Sequence, residues 1–190
     1  MTSRTRHFAL AASTAGIFVH AIASGADIRH IEATHKDTRY TVNFDVVLDA
    51  EQSKVWRIMT DFAHLTQASD VIIESRLMKS EREGQDRVYV ALHACVLIFC
   101  KTMEKVVDIQ AIPQSDIVVT TDPALSDFSY SVERWQVSTE GARKTRLRYS
   151  AEMTPDFFIP PLVGPWIVKS FLKKEIQATA IKVEALAGRE

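Results

Sequence analysis

From Val71 to Met153 the sequence is a run of short alternating segments, and this run limits the fold more than any other feature. "VIIESRLMKS", "DRVYVALHA", "TMEKVVDIQAI", "DIVVTT", "FSYSVERWQVST" and "KTRLRYSAEM" follow in order. Turn residues separate several of them, at Glu83-Gly84, Pro113-Gln114-Ser115-Asp116, Asp122-Pro123 and Glu140-Gly141. Period-two alternation with connections this short predicts six antiparallel strands.

The flanking segments complete the pattern. In "RYTVNFDVVLD", Tyr40, Val42, Phe44, Val46 and Leu48 share one side, as in a half-buried strand. Asp49 then stands where an N-cap belongs, ahead of a helix predicted from Ala50 to Thr60, with a second short helix over Phe62 to Gln67. At the other end, "GPWIVKSFLKKEIQATAIKVEALAG" places Val168, Phe171, Leu172, Ile176, Ala180 and Val183 on a stripe opposite Lys169, Lys173 and Lys174. Pro165 suits the start of that helix and Gly188 its exit. The expected class is therefore α+β: a seven-stranded antiparallel sheet curled around one long C-terminal helix, with two short helices after the first strand. A single stripe cannot fill such a concave sheet, so the architecture implies a cavity.

The order β-α-α-β6-α, with "VWRIMTDFAHLTQASDVI" after the first strand and "TRLRYSAEMTPDFFIPPLVGPW" running into the last helix, resembles the SRPBCC or START-like superfamily, and within it the polyketide cyclase/dehydrase and coenzyme Q-binding (Coq10-like) group. The resemblance implies a helix-grip fold whose deep apolar cavity carries lipids, sterols or quinones, or cyclises polyketides. It supplies no universal catalytic motif.

The chain opens with Arg4 and Arg6 before an apolar run from Phe8 to Ile22, then small residues at Ala21, Ala23, Ser24 and Ala26. That order predicts a secretory signal peptide over residues 1–26, followed by a lead-in at 27–37 and a START-like ligand-binding domain at 38–188. Loss of two arginines and no acid would take the formal charge from -1 to about -3, which argues against a nucleic-acid partner. The expected compartment is outside the cytoplasm, the periplasm first, and a monomer is the default state.

Cys95 and Cys100 are the chain's two cysteines. On a straight strand their Cα atoms would lie roughly 16 Å apart, beyond reach of a disulfide. A hairpin that sets Cys95 opposite Cys100 across a Val96–Phe99 tip also sets Leu92 opposite Met103, Tyr89 opposite Val106 and Arg87 opposite Asp108. Apolar then meets apolar and opposite charges meet. In an oxidising compartment the two thiols are expected to pair; the alternative is two inert thiols. A zinc site on His93, Cys95 and Cys100 lacks a fourth ligand at a recognisable spacing, and neither a metal nor a cofactor is expected. In this register Lys105 is the misfit, a charge on the apolar face with Val88, Val90, Leu92, Met103 and Val107.

Two apolar segments look exposed: the tip Val96, Leu97, Ile98, Phe99, and the proline-framed loop with Phe157, Phe158 and Leu162. They are expected to gate the cavity or touch a membrane transiently; the alternatives are that the tip packs on the final helix and that the loop plugs the barrel end. Phe44, Trp56, Tyr89, Trp135, Tyr149, Trp166 and Phe171 are the expected ligand-binding aromatics. No nucleophile, metal or nucleotide fingerprint is recognisable, so no catalytic residue is assigned. His64, His93, Glu74, Asp45 and Glu133 are the available acids and bases. Glu133 shares a strand face with Trp135, while Tyr130 and Arg134 share the other. The expected function is an exported carrier for a lipid, quinone or polyketide-like molecule; a cyclase/aromatase or hydrolase using the same cavity is the alternative. An intact mass of the exported protein is expected to lack the first 23 to 26 residues and to be lighter by the two hydrogens of a formed bridge; a mass with both hydrogens present would exclude the disulfide.

Overall fold

The computed structural model describes residues 26–96, 99–159 and 164–189. Eight strands form one antiparallel sheet: β1 (Asp27–Lys36), β2 (Arg39–Leu48), β3 (Ile72–Met78), β4 (Asp86–Val96), β5 (Phe99–Ile112), β6 (Asp116–Thr121), β7 (Phe128–Thr139) and β8 (Thr145–Pro155). Their spatial order is β1-β2-β8-β7-β6-β5-β4-β3. The meander from β3 to β8 is thus joined to the N-terminal hairpin through β2 and β8, with Tyr40 opposite Met153 and Leu48 opposite Thr145. The helix α1 (Gln52–Met59) and the long helix α2 (Gly164–Ala187) complete the fold, with α2 lying against β1, β2 and α1. Among the described residues no helix is long and apolar enough to cross a membrane.

The strand count corrects the expectation of seven, because residues 27–36 of the expected lead-in form β1. A register shift between Ile28 and His30 breaks the alternation that would have announced this strand. Beyond it Ile31 and Ala33 pack against the core together with Ile28. Asp37, at φ 57°, makes the tight turn from Lys36 to Arg39.

The β4–β5 register is the one that the cysteine hairpin requires, with Leu92 opposite Met103, Tyr89 opposite Val106 and Cys95 opposite Cys100. Arg87 donates to Asp108 at 3.0 Å. Val96 also pairs with Phe99, so the connection is two residues long rather than four. Those two, Leu97 and Ile98, lie outside the described residues, as does Leu162.

Asp49 does not cap α1. The helix begins after Glu51, without a side-chain cap, because the preceding residues are held elsewhere. The Thr145 hydroxyl donates to the Ala50 carbonyl at 2.7 Å, and the Asp49 amide donates to Glu184 Oε2 at 2.7 Å. The second short helix is reduced to a 3-10 turn at Leu65–Gln67.

Val42, Phe44, Val46 and Leu48 of β2, Val55 of α1, Leu147 of β8 and Val183 of α2 form the larger core cluster. Glu184 is buried beside it and ties α2 to the β2–α1 junction. Glu184→Ala is expected to leave the Asp49 amide without an acceptor and to lower stability by about 1–3 kcal/mol. Glu184→Gln, which keeps an acceptor, is expected to cost less; urea unfolding of the two variants measures the difference.

Candidate functional site

A cavity of about 620 Å³ lies between the sheet and α2, a volume suited to one small organic ligand. The period-two alternation of β4 and β5 sends Val90, Leu92, Met103 and Val107 into it, and the stripe of α2 supplies Phe171, Leu172 and Ile176 from the opposite side. Phe62 and Leu65, between α1 and β3, also reach it.

The same alternation brings Lys105 inside. Its side chain is 9% exposed and its ammonium lies 2.5 Å from Glu133 Oε1 on β7. Lys105 Nζ also donates to Ser131 Oγ at 3.2 Å, and the Tyr149 hydroxyl on β8 donates to Glu133 Oε2 at 3.0 Å. Both carboxylate oxygens are therefore engaged. Lys105 Nζ further sits 5.1 Å above the Phe128 ring, a favourable approach of a cation to an aromatic face. These three neighbours of Lys105 thus come from β7, with Tyr149 of β8 joined to them through Glu133, and none is adjacent to Lys105 in sequence.

The electrostatics follow from this geometry. Burial pushes the Glu133 carboxyl up, but the charge of Lys105 and hydrogen bonds from Lys105, Tyr149 and Ser131 outweigh it and hold the group below the usual carboxylate range. Burial and the Glu133 charge push the Tyr149 hydroxyl well above its ordinary value. The Lys105–Glu133 ion pair and the neutral Tyr149 phenol leave the cluster internally balanced in charge.

Trp135, Tyr149 and Phe171 line the cavity, and the Trp135 and Tyr149 rings lie 4.1 Å apart. The other expected ligand-binding aromatics stand elsewhere. Phe44 is 2% exposed in the core cluster, and Trp56 packs against the two core clusters. Tyr89 alternates outward between Val88 and Val90, its ring under the Arg76 guanidinium at 4.3 Å. Trp166 is 68% exposed on the first turn of α2. His64 pairs with Asp61 and Asp45 with Arg146, while Glu74 pairs with Arg76, all away from the cavity.

Phe157 and Phe158 belong to the cavity wall. Phe157 meets Phe128 edge-on at 6.2 Å and lies under the Lys101 ammonium at 4.6 Å. Phe158 is 83% exposed. Just beyond it, Ile159 presses on Gly164 so closely that a Cβ there would run into Ile159 Cγ2. Residues 159 and 164 are thereby in direct contact. Ala94, Cys100 and Lys101 bring the cysteine hairpin to the same cavity, and Cys95 and Cys100 are joined by a disulfide with Cα atoms 4.0 Å apart.

Sequence reasoning noted Lys105 as a misfit and did not join it to Glu133. The available signal was its inward place in the β5 alternation, because a charge at such a position needs a buried partner.

Solved structures with this architecture include the Zhui aromatase/cyclase from Streptomyces sp. R1128, 15% identical, with a TM-score of 0.65 over 80% of this chain and 94% of that one. A START superfamily protein from Mycobacterium smegmatis, 15% identical, gives 0.64 over 78% and 97%. Human STARD10, 9% identical, gives 0.56 over 84% and 73%. A search of the curated proteins found no match. Residues 39–188 match the family described as polyketide cyclase / dehydrase and lipid transport. A match over that length, on a sheet that grips one helix around an apolar cavity, makes this chain a member of that family.

Proposed function

We propose that the protein is an exported carrier that holds a neutral hydrophobic molecule bearing an oxygen acceptor, of the lipid, quinone or polyketide-like kind. The observation that carries this reading is the pairing of an apolar cavity with a polar cluster already balanced in charge. A ligand's apolar body gains from burial at about 25 cal/mol per Å². A charged head group beside the cluster would find Lys105 and Glu133 already paired with each other, whereas the Lys105 ammonium has a third N–H to offer a carbonyl or hydroxyl.

The protonation states favour binding over proton transfer. Glu133 is held ionised with both oxygens engaged, and Tyr149 is held protonated far above neutral pH. Neither has a value near the working pH, as a general base or acid requires. The alternative, a cyclase/aromatase or hydrolase, draws support from the family description and from Lys105, whose N–H can polarise a substrate carbonyl. Export is supported by the basic-then-apolar N-terminus and is compatible with the disulfide. The apolar loop at Phe157 and Phe158, with Trp166 exposed nearby in sequence, is the proposed gate and the proposed point of transient membrane contact.

Native mass spectrometry of the exported protein, followed by solvent extraction, tests the carrier reading. A stoichiometric neutral apolar compound is expected; a protein that stays empty when offered lipids, yet turns over a polyketide-like substrate, would replace the carrier with the enzyme.

The ion pair makes its own prediction. Lys105→Met is expected to lower stability by about 3–5 kcal/mol by stranding a buried carboxylate, whereas Lys105→Met/Glu133→Gln recovers most of the loss and keeps an acceptor for Tyr149. The pH dependence should change sign. In the wild type Glu133 is lowered on folding, so its contribution is present above its unfolded value and lost as pH falls through the folded one. In Lys105→Met the ammonium is gone and only the hydrogen bonds from Tyr149 and Ser131 still oppose burial, the largest single influence, so the group is expected to rise and protonation around pH 4 and above to stabilise the fold instead. Urea midpoints measured between about pH 3 and 7 distinguish the two slopes.

A further inference from the structure

The outward face of the β4–β5 hairpin gathers His93, Cys95 and Thr102, none of which lines the cavity, beside Cys100 at the cavity rim. Cross-strand register sets Cys95 opposite Cys100 and His93 opposite Thr102, and the period of two puts His93 and Cys95 on one side of β4. His93 Nε2 lies 3.4 Å from Cys95 Sγ. The nitrogen of His93 and the two sulfurs all fall within 4.8 Å of one another, and the three residues are exposed. His93 Nδ1 is 3.0 Å from Thr102 Oγ1. With Nδ1–H donating to that hydroxyl, Nε2 carries its lone pair toward the sulfurs, the orientation a metal-bound imidazole takes when its other nitrogen is held.

We propose that this hairpin, once its disulfide is reduced, binds Cu(I) through Cys95 Sγ, Cys100 Sγ and His93 Nε2. Two thiolates and one imidazole are a soft donor set of three, which satisfies trigonal Cu(I). Zinc requires a fourth ligand in a structural site, and among the described residues the group contains three. The assignment does not depend on what fills the cavity.

The chemistry balances with a dithiol reductant. Its two thiols break the Cys95–Cys100 bond and become a disulfide, leaving two cysteine thiols on the protein. Copper enters already as Cu(I) and its oxidation state does not change. The two thiol protons leave to solvent as the Cu–S bonds form. Exposure of both cysteines gives the reductant and then the metal access. Because Cys100 and its neighbours Ala94 and Lys101 also belong to the cavity wall, copper would replace the disulfide as the cross-link at that rim.

The test uses the full chain, reduced with dithiothreitol, freed of it by gel filtration without oxygen, and titrated with Cu(I) against bicinchoninate. One tightly held equivalent is expected, with two sulfurs and one nitrogen around copper by X-ray absorption. The oxidised protein and Cys95→Ser/Cys100→Ser are expected to hold none. Thr102→Val removes the partner that orients His93 and is expected to weaken binding about 10- to 100-fold, and His93→Gln at least as much. Circular dichroism of each variant establishes that these exposed changes leave the fold intact. Equal copper on the oxidised and reduced proteins would overturn the site, as would sulfur-only coordination unaffected by His93→Gln. Displacement of the copper by an equimolar amount of Zn(II) would overturn the choice of metal.

Discussion

An antiparallel sheet of eight strands that bends around one helix encloses more volume than that helix can fill. Much of this protein follows from that mismatch. The stripe on α2 satisfies the part of the concave face near β1, β2 and α1, where Ala180 and Val183 are nearly inaccessible. Toward β4, β5 and β6 the inward side chains of the sheet meet open space instead. Apolar walls left facing a void forgo dispersion contacts, and a ligand that restores them stabilises the folded state by its own binding.

The polar cluster sets limits on that ligand. A buried ammonium and carboxylate seldom add stability over a well-packed apolar pair, so the presence of Lys105 and Glu133 in an otherwise greasy wall points toward recognition. Tyr149 and Ser131 add hydrogen bonds to the pair and hold it in one arrangement, with a third Lys105 N–H left over. Rigid, satisfied polar groups discriminate through geometry: a partner with an oxygen at the right distance is accepted, and one without it leaves an N–H unpaired.

The sheet was largely legible because alternation and turn chemistry are local signals. The β4–β5 register could be deduced residue by residue because only one pairing brings Cys95 to Cys100 while matching Leu92 to Met103 and Arg87 to Asp108. β1 escaped notice because its bulge at Ile28 to His30 breaks the period of two. The capping of α1 was misjudged because the groups that compete for Asp49 and Ala50 lie about a hundred or more residues away, at Thr145 and Glu184. The aromatic residues divided for the same reason. Alternation separates Tyr89 from Val88 and Val90, but sequence alone does not say which side is inward; only the position of α2 decides that, and it placed Trp135 inside and Tyr89 outside.

The pairing of β2 with β8 also governs when the protein can fold. Tyr40 and Met153 are direct partners in the sheet although most of the chain separates them. The core cluster draws on both ends of the sequence, from Val42 to Ala187. The meander from β3 to β7 can pair locally, but β2 gains its second neighbour only after β8 exists, and α2, which lies against β2, follows both in the chain. Contacts of such long sequence separation slow folding because loop closure must precede their reward. For the export proposed above, that delay would keep the polypeptide threadable until α2 is available on the far side of the membrane.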